Sequence, residues 1–212
     1  MLHTPNMKGL YRFEGNSTDG SGNAHNGTDT AITYVTGRFG KGASFDGTTS
    51  YIDFGDVADF DFGTGDFTFA LHVYRDNVTN SATLFAKGDI TLPSGYALYI
   101  ERGVDGNFIK FAANNNAAMV TSASAIADLV WRHIAFTRSG GTIQIYVDGK
   151  PDGASGTYTG DFTNALSAIA GRWSHTASGF LAGKEDELIV LRKALSTSDI
   201  RRIMLGLHPL GG

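Results

Sequence analysis

"WRHIAFTRSGGTIQIYVDGKPD", residues 131–152, holds two apolar-alternating runs separated by Gly140-Gly141, the second closed by Asp148-Gly149. Ile134 and Phe136 share one side of the first run. Ile143, Ile145 and Val147 share one side of the second, the period of strands with one buried face. Asp-Gly suits a two-residue hairpin turn, in which both central residues take positive φ. The stretch reads as consecutive antiparallel strands.

The same alternation recurs outward from this hairpin. Candidate strands are 9–14, 31–35, 43–45, 51–54, 67–74, 82–87, 96–101, 108–113, 118–122, 131–137, 142–147, 167–171 and 184–191. "DGSGNAHNG" (19–27) and "DGTTS" (46–50) are turn clusters of residues that tolerate left-handed backbone. Many short strands with turns between them predict a sandwich or barrel. One short helix is expected after Leu195, with Ser196 as its cap, Asp199 completing a capping box, and Leu195 and Ile200 forming a hydrophobic staple. No repeat or linker interrupts residues 1–212, so one domain is expected.

Bulk composition narrows the function classes. A net charge of −4 with dispersed Lys and Arg gives nucleic acid no basic stripe. With no Cys, disulfides and thiolate zinc sites are excluded. No apolar run reaches membrane-spanning length, so no membrane insertion is expected. The N-terminal stretch carries no basic segment leading into an apolar one. The expectation is a virion or extracellular location: a phage structural protein released by lysis, or a secreted protein whose leader was removed.

The segments "GLYRFEGN", "DGSGNAHNGT", "GRFGKGASFDGTTSYIDFG", "DFTFALHVY", "LFAKGD", "GYALYI", "WRHIAFTRSGGTIQIYVDGKPDG" and "GFLAGKEDELIVLRKALSTSDI" occur in one order along nearly the whole chain. In that order the chain resembles the laminin-G-like jelly roll of the concanavalin A-like lectin and glucanase superfamily. The resemblance implies an all-β fold, a two-sheet antiparallel jelly-roll sandwich with one short C-terminal helix. Lectins, carbohydrate-binding modules, hydrolases and structural modules share such a fold, so it does not fix an activity.

"GKEDELIVL" (183–191) sets three acids against an apolar run. In a regular strand Asp186 points with Leu188 and Val190, while Glu185 and Glu187 point with Ile189 and Leu191. The resemblance implies an inward acid at Asp186. It also implies a Ca²⁺ held by Asp186 with backbone carbonyls near Glu14 and Gly42, hard oxygen donors of the kind calcium takes. The alternative is that Asp186 accepts hydrogen bonds from turn amides near Asp46-Gly47. Glu185 and Glu187 read as a solvated strand entry. The unbroken run Leu188–Leu191 predicts burial on both faces: Ile189 and Leu191 lie under the C-terminal helix or form an interface with another subunit.

Catalysis lacks a motif. Glycoside cleavage needs two carboxyl groups flanking one bond, and the superfamily's Glu-x-Asp-x-x-Glu pattern is incomplete here. Serine-hydrolase, zinc-protease and P-loop motifs are absent. His133 reads as a packing residue. The acids of "DFGDVADFDFGTGD" (53–66) lack EF-hand spacing and read as a solvated loop. Asp19 reads as the acceptor of an Asx turn, and Asn114–Asn116 as a plain turn. Trp173 and His175, in the loop "GRWSHTASGF" (171–180), are the candidate sugar contacts, Trp173 being alternatively a cover for the sandwich end. The expected function is a non-catalytic binding or structural module. A phage virion component (capsid decoration or tail-associated) comes first, with virion or surface proteins or further copies of itself as partners. A secreted glycan-binding module is second and a glycosidase third.

Overall fold

The computed structural model describes residues 5–76, 80–115 and 117–207; Asn116 and the tail at 208–212 lie outside them. In chain order the strands are β1 (Met7–Tyr11), β2 (Thr28–Thr30), β3 (Thr33–Thr36), β4 (Lys41–Asp46), β5 (Tyr51–Gly55), β6 (Phe67–Arg75), β7 (Ala82–Lys87) and β8 (Tyr96–Gly103). They continue with β9 (Gly106–Ala113), β10 (Ala117–Thr121), β11 (Trp131–Ser139), β12 (Thr142–Val147), β13 (Lys150–Pro151), β14 (Gly156–Thr157), β15 (Ala168–Ala170) and β16 (Ala182–Leu191). Helix α1 (Thr197–Met204) follows. Among the described residues no helix is long and apolar enough to cross a membrane.

The first sheet runs β13-β12-β11-β6-β16-β4-β3, with β1 also on β16 and β14 on β12. The second runs β10-β9-β8-β7-β15-β5-β2. In the β11–β12 hairpin Ser139 faces Thr142 and Ile134 faces Val147. Gly140, Gly141, Asp148 and Gly149 all have positive φ (56°, 85°, 48° and 72°), as the turn chemistry requires. Between the sheets lies a core rich in phenylalanine. Phe69 of β6 is 5.1 Å, centroid to centroid, from Phe136 and 4.7 Å from Phe85, and so joins both layers.

A second apolar layer covers the outside of the first sheet. Ser196 caps α1, its hydroxyl accepting from the amide of Asp199 at 3.2 Å. Leu195, Ile200 and Ile203 then pack on Ile189 and Leu191 of β16 and on Met7 and Leu10 of β1. Leu188 and Val190 belong to the inter-sheet core. Burial on both faces of the last strand is therefore correct, and the helix supplies the outer cover.

The parity expected for the three acids is not what the backbone adopts. A β-bulge interrupts the pairing of β16 with β6 between Asp186 and Ile189, and Glu187 sits at its centre with φ 52°. Before the bulge β16 pairs with β4; beyond it, with β1. The change of partner turns each side chain ahead of the bulge to the opposite face. Glu185, between Ala43 and Val73, points into the core, and Asp186, beside His72, points outward under the 37–40 turn. None of the three acids is a solvated strand entry: Glu185 and Asp186 are 0 % exposed and Glu187 7 %.

Two fully buried cations fix loops to this frame. Arg138 donates to the carbonyls of Gly63, Gly65 and Gly160 and stacks over Phe162 at 4.7 Å. Lys87 Nζ lies 2.8 Å from Asp56 and 3.0 Å from Asp61 and donates to the carbonyls of Asn164 and Leu166. The acidic loop is thus partly a cage for an ammonium group rather than merely solvated. Its other members have separate partners: Asp53 the Gly55 amide, Asp59 Lys8 and His25, and Asp66 the Gly140 amide.

Candidate functional site

The outer face of the second sheet carries a row of small buried residues, Ala86, Ala97 and Ala112, on three adjacent strands. Short side chains let larger rings lie flat against the sheet. Trp173 and Tyr99 do so, 5.2 Å apart and tilted by 57°, each partly exposed. His175 extends the line, 6.3 Å from the Trp173 ring. Its Nε2 is 3.7 Å from Asp89. The Thr91 hydroxyl and amide both donate to Asp89 and hold its carboxyl below the usual range. The result is an open aromatic surface rimmed by an imidazole and a carboxylate.

The loop bearing Trp173 is held in place by its own chemistry. Its backbone bonds Leu181 to Gly171 and Trp173 to Ser178, and the Ser174 hydroxyl donates to the Ser167 carbonyl at 2.6 Å. The Arg172 guanidinium lies 4.1 Å over Tyr51 and donates back to the Trp173 carbonyl. Gly179, at φ 64°, approaches so closely that an added Cβ would stand 2.4 Å from the indole nitrogen. Trp173 therefore covers a sheet face and not the end of the sandwich. Asn114 and Asn115 have φ 49° and 64°, a plain turn as read, while Asn116 lies outside the described residues.

The proposed metal ligands meet around one turn. Asp186 Oδ2 accepts from the Phe39 amide at 2.8 Å, and Glu14 accepts from the Lys41 amide at 3.1 Å. The donors come from the turn preceding β4 and not from Asp46-Gly47, whose own Asp46 binds the amides of Thr48, Thr49 and Ser50. Gly42 lies beside Asp186. Asp19 accepts from Leu10, Ser21 and His25 amides, an Asx turn extended to the first strand.

Glu185 has no exposed surface, and the exposed acid Glu14 is engaged by the Lys41 amide. Glu101 is paired with Lys110 on another strand pair. Among the described residues, then, no two glutamates face each other across an open groove. Ile189 and Leu191, the candidate interface residues, are 1 % and 2 % exposed beneath α1 and present no contact surface.

A laminin-G family model described as the concanavalin A-like lectin/glucanases superfamily matches residues 46–201. The chain belongs to that superfamily. No curated protein matches it. Among solved structures of the superfamily fold, domain 4 of AbnA, an extracellular arabinanase from Geobacillus stearothermophilus solved with arabinotriose, aligns with TM-score 0.76 and 23 % identity over 94 % of this chain and 98 % of that one. The binding domain of Paraclostridial Mosquitocidal Protein 1 aligns at 0.74 and 18 % identity over 94 % of this chain and 52 % of that one. A Trypanosoma rangeli sialidase aligns at 0.72 and 17 %, over 99 % of this chain and 34 % of that one. At these identities the likeness is one of fold.

The calcium reading rests on Asp186 with main-chain carbonyls near Glu14 and Gly42, and calcium takes about 6–8 oxygen donors. Asp186 Oδ2 accepts from the Phe39 amide, while its Oδ1 is buried without a hydrogen-bond partner and is the oxygen that such an ion would engage. A Ca²⁺ held there would raise the melting midpoint as its concentration rises; the same midpoint in excess chelator and in excess Ca²⁺ would remove the ion from this site. Sequence reasoning missed Tyr99, Asp89, Tyr51 and Arg172. Tyr99 was recoverable: it alternates with Leu98 and Ile100, so it must face outward if they face in.

Proposed function

We propose that the chain is a non-catalytic glycan-binding module whose site is the outer face of the second sheet. The observation that carries this reading is the pairing of Trp173 and Tyr99, brought from different elements onto a floor of alanines and left open to solvent. Sugar rings present apolar C–H faces to such platforms and hydroxyls to the polar groups beside them, here His175 and Asp89. The whole-domain alignment with an arabinotriose-bound module supports the same class of ligand. Of the features that agreed with a virion role, the apolar strand residues Ile189 and Leu191 lie beneath α1, and the platform is the stronger feature.

Affinity electrophoresis on arabinan, together with a glycan array, tests the proposal. Trp173→Ala is expected to weaken retention by at least about tenfold, the loss typical of a central aromatic contact. A blank array, or equal retention of the variant, would sink the glycan reading.

A further inference from the structure

The opposite face of the molecule holds a second, deeper feature. A pocket of about 220 Å³ opens on the outside of the first sheet, beside the end of α1. Its walls are Arg38, His72, Trp131, His133, Asp148 and the Met204–Leu205 segment. None of these residues belongs to the platform.

Its polar groups are unusually poorly satisfied for their burial. His72 and His133 face each other across β6 and β11, ring centroids 4.9 Å apart and 2 % and 3 % exposed. Neither Nδ1 has a protein partner. His72 Nε2 is 3.1 Å from the Met204 carbonyl, which can only accept, so that nitrogen carries the proton. Burial lowers His72 to about 4 and His133 to about 3, so both rings are neutral at physiological pH. The Nδ1 of His72 is thus a buried lone pair without a donor, closed off beneath the pocket, and such a group carries a free-energy cost.

The other walls complete a recognisable chemistry. The Trp131 indole supplies a flat apolar side, braced by Tyr74 at 5.7 Å. Arg38, on an exposed turn, supplies donors at the mouth. Asp148 is fixed by Arg132 at 2.7 Å and by the His133 amide at 3.0 Å and has lone pairs left over. The volume is below the roughly 300–1,000 Å³ of a drug-sized site, so it suits one small ring.

We infer that this pocket binds a single sugar unit, with hydroxyls donating to Asp148 and accepting from Arg38, an apolar face against Trp131, and the two imidazoles as its floor. The site is separate from the platform and does not depend on it. It would let one chain hold two glycan segments from opposite faces.

L-Arabinose, D-galactose and D-glucose, each titrated into the whole chain and followed by saturation-transfer NMR, test the inference. At least one sugar is expected to saturate in the millimolar range. It should shift the ¹⁵N resonance of His72 Nδ1, which a remote binding event would not move. Arg38→Ala, on an exposed turn, and Trp131→Ala are each expected to weaken binding by about tenfold or more. Absence of saturation by all three sugars overturns the inference and leaves the pocket to water. So does binding that persists in both pocket variants but disappears in Trp173→Ala, which would assign the sugar to the platform alone.

Discussion

Lys87→Met is expected to cost about 3–5 kcal/mol of folding free energy, the loss seen when one partner of a buried ion pair is removed. Methionine fills the space of the lysine stem but supplies no donor. Asp61, 16 % exposed at its side chain, and the carbonyls of Asn164 and Leu166 would then be buried without their ammonium partner. Asp56, 49 % exposed, can turn to water, so Asp56→Asn should cost no more than about 1 kcal/mol. Urea unfolding separates the two: the midpoint should fall sharply for Lys87→Met at an unchanged slope, and hardly move for Asp56→Asn. An unmoved midpoint in Lys87→Met would mean that the loops around Asp56 and Asn164 are held by something other than this ammonium group.

Glu185→Leu is expected to act in the opposite direction. Both carboxyl oxygens of Glu185 are buried between Ala43 and Val73 without a hydrogen-bond partner. Replacing such a group by an apolar one should stabilise by about 1–3 kcal/mol near neutral pH. The pH dependence identifies the cause. Burial holds the folded pKa of Glu185 well above the roughly 4.3 of an unfolded glutamate. Between those values the unfolded chain has lost a proton that the folded chain keeps, so stability falls as pH rises, by about 1.4 kcal/mol per unit.

Asp186, raised to about 7, acts with the same sign up to that pH. His72 and His133 act oppositely, because unfolded imidazoles take up protons below about 6.5 while the folded rings resist until about 4 and about 3. From about pH 4.5 upward the Glu185 and Asp186 slopes oppose those of the two histidines. Glu185→Leu removes one of the two opposing slopes and should uncover a loss of stability on acidification from about pH 6.5 towards 4.5. Thermal melts of both chains over that range check it, and an equal acid dependence in the two would sink the assignment.

What was legible in the sequence was whatever short-range chemistry controls. The Asp148-Gly149 and Gly140-Gly141 turns, the alternation of β11 and β12, the Ser196 cap and the Leu195–Ile200 staple all depend on residues a few positions apart. The faces of the three acids depend instead on β16 exchanging β4 for β1, a long-range event that period-two reasoning cannot register. Lys87 and Arg138 were missed for a related reason: a charged side chain suggests solvent until distant loops are seen to converge on it. Trp173 and His175 were found as loop aromatics, but their companion Tyr99 lies 74 positions earlier by the numbering and became visible only when the sheet placed it alongside.

The kink at Glu187 has a mechanical consequence. The ribbon before it is shared with the central strands, whereas the ribbon after it is clasped by β1 on one edge and by α1 from above, through the cluster joining Met7, Leu10, Ile189, Leu191, Ile200 and Ile203. First strand and final helix therefore form one clasp, and prying up either loosens the other; because Tyr11 of the first strand also packs on Phe54, lifting that strand unseals the aromatic interior too.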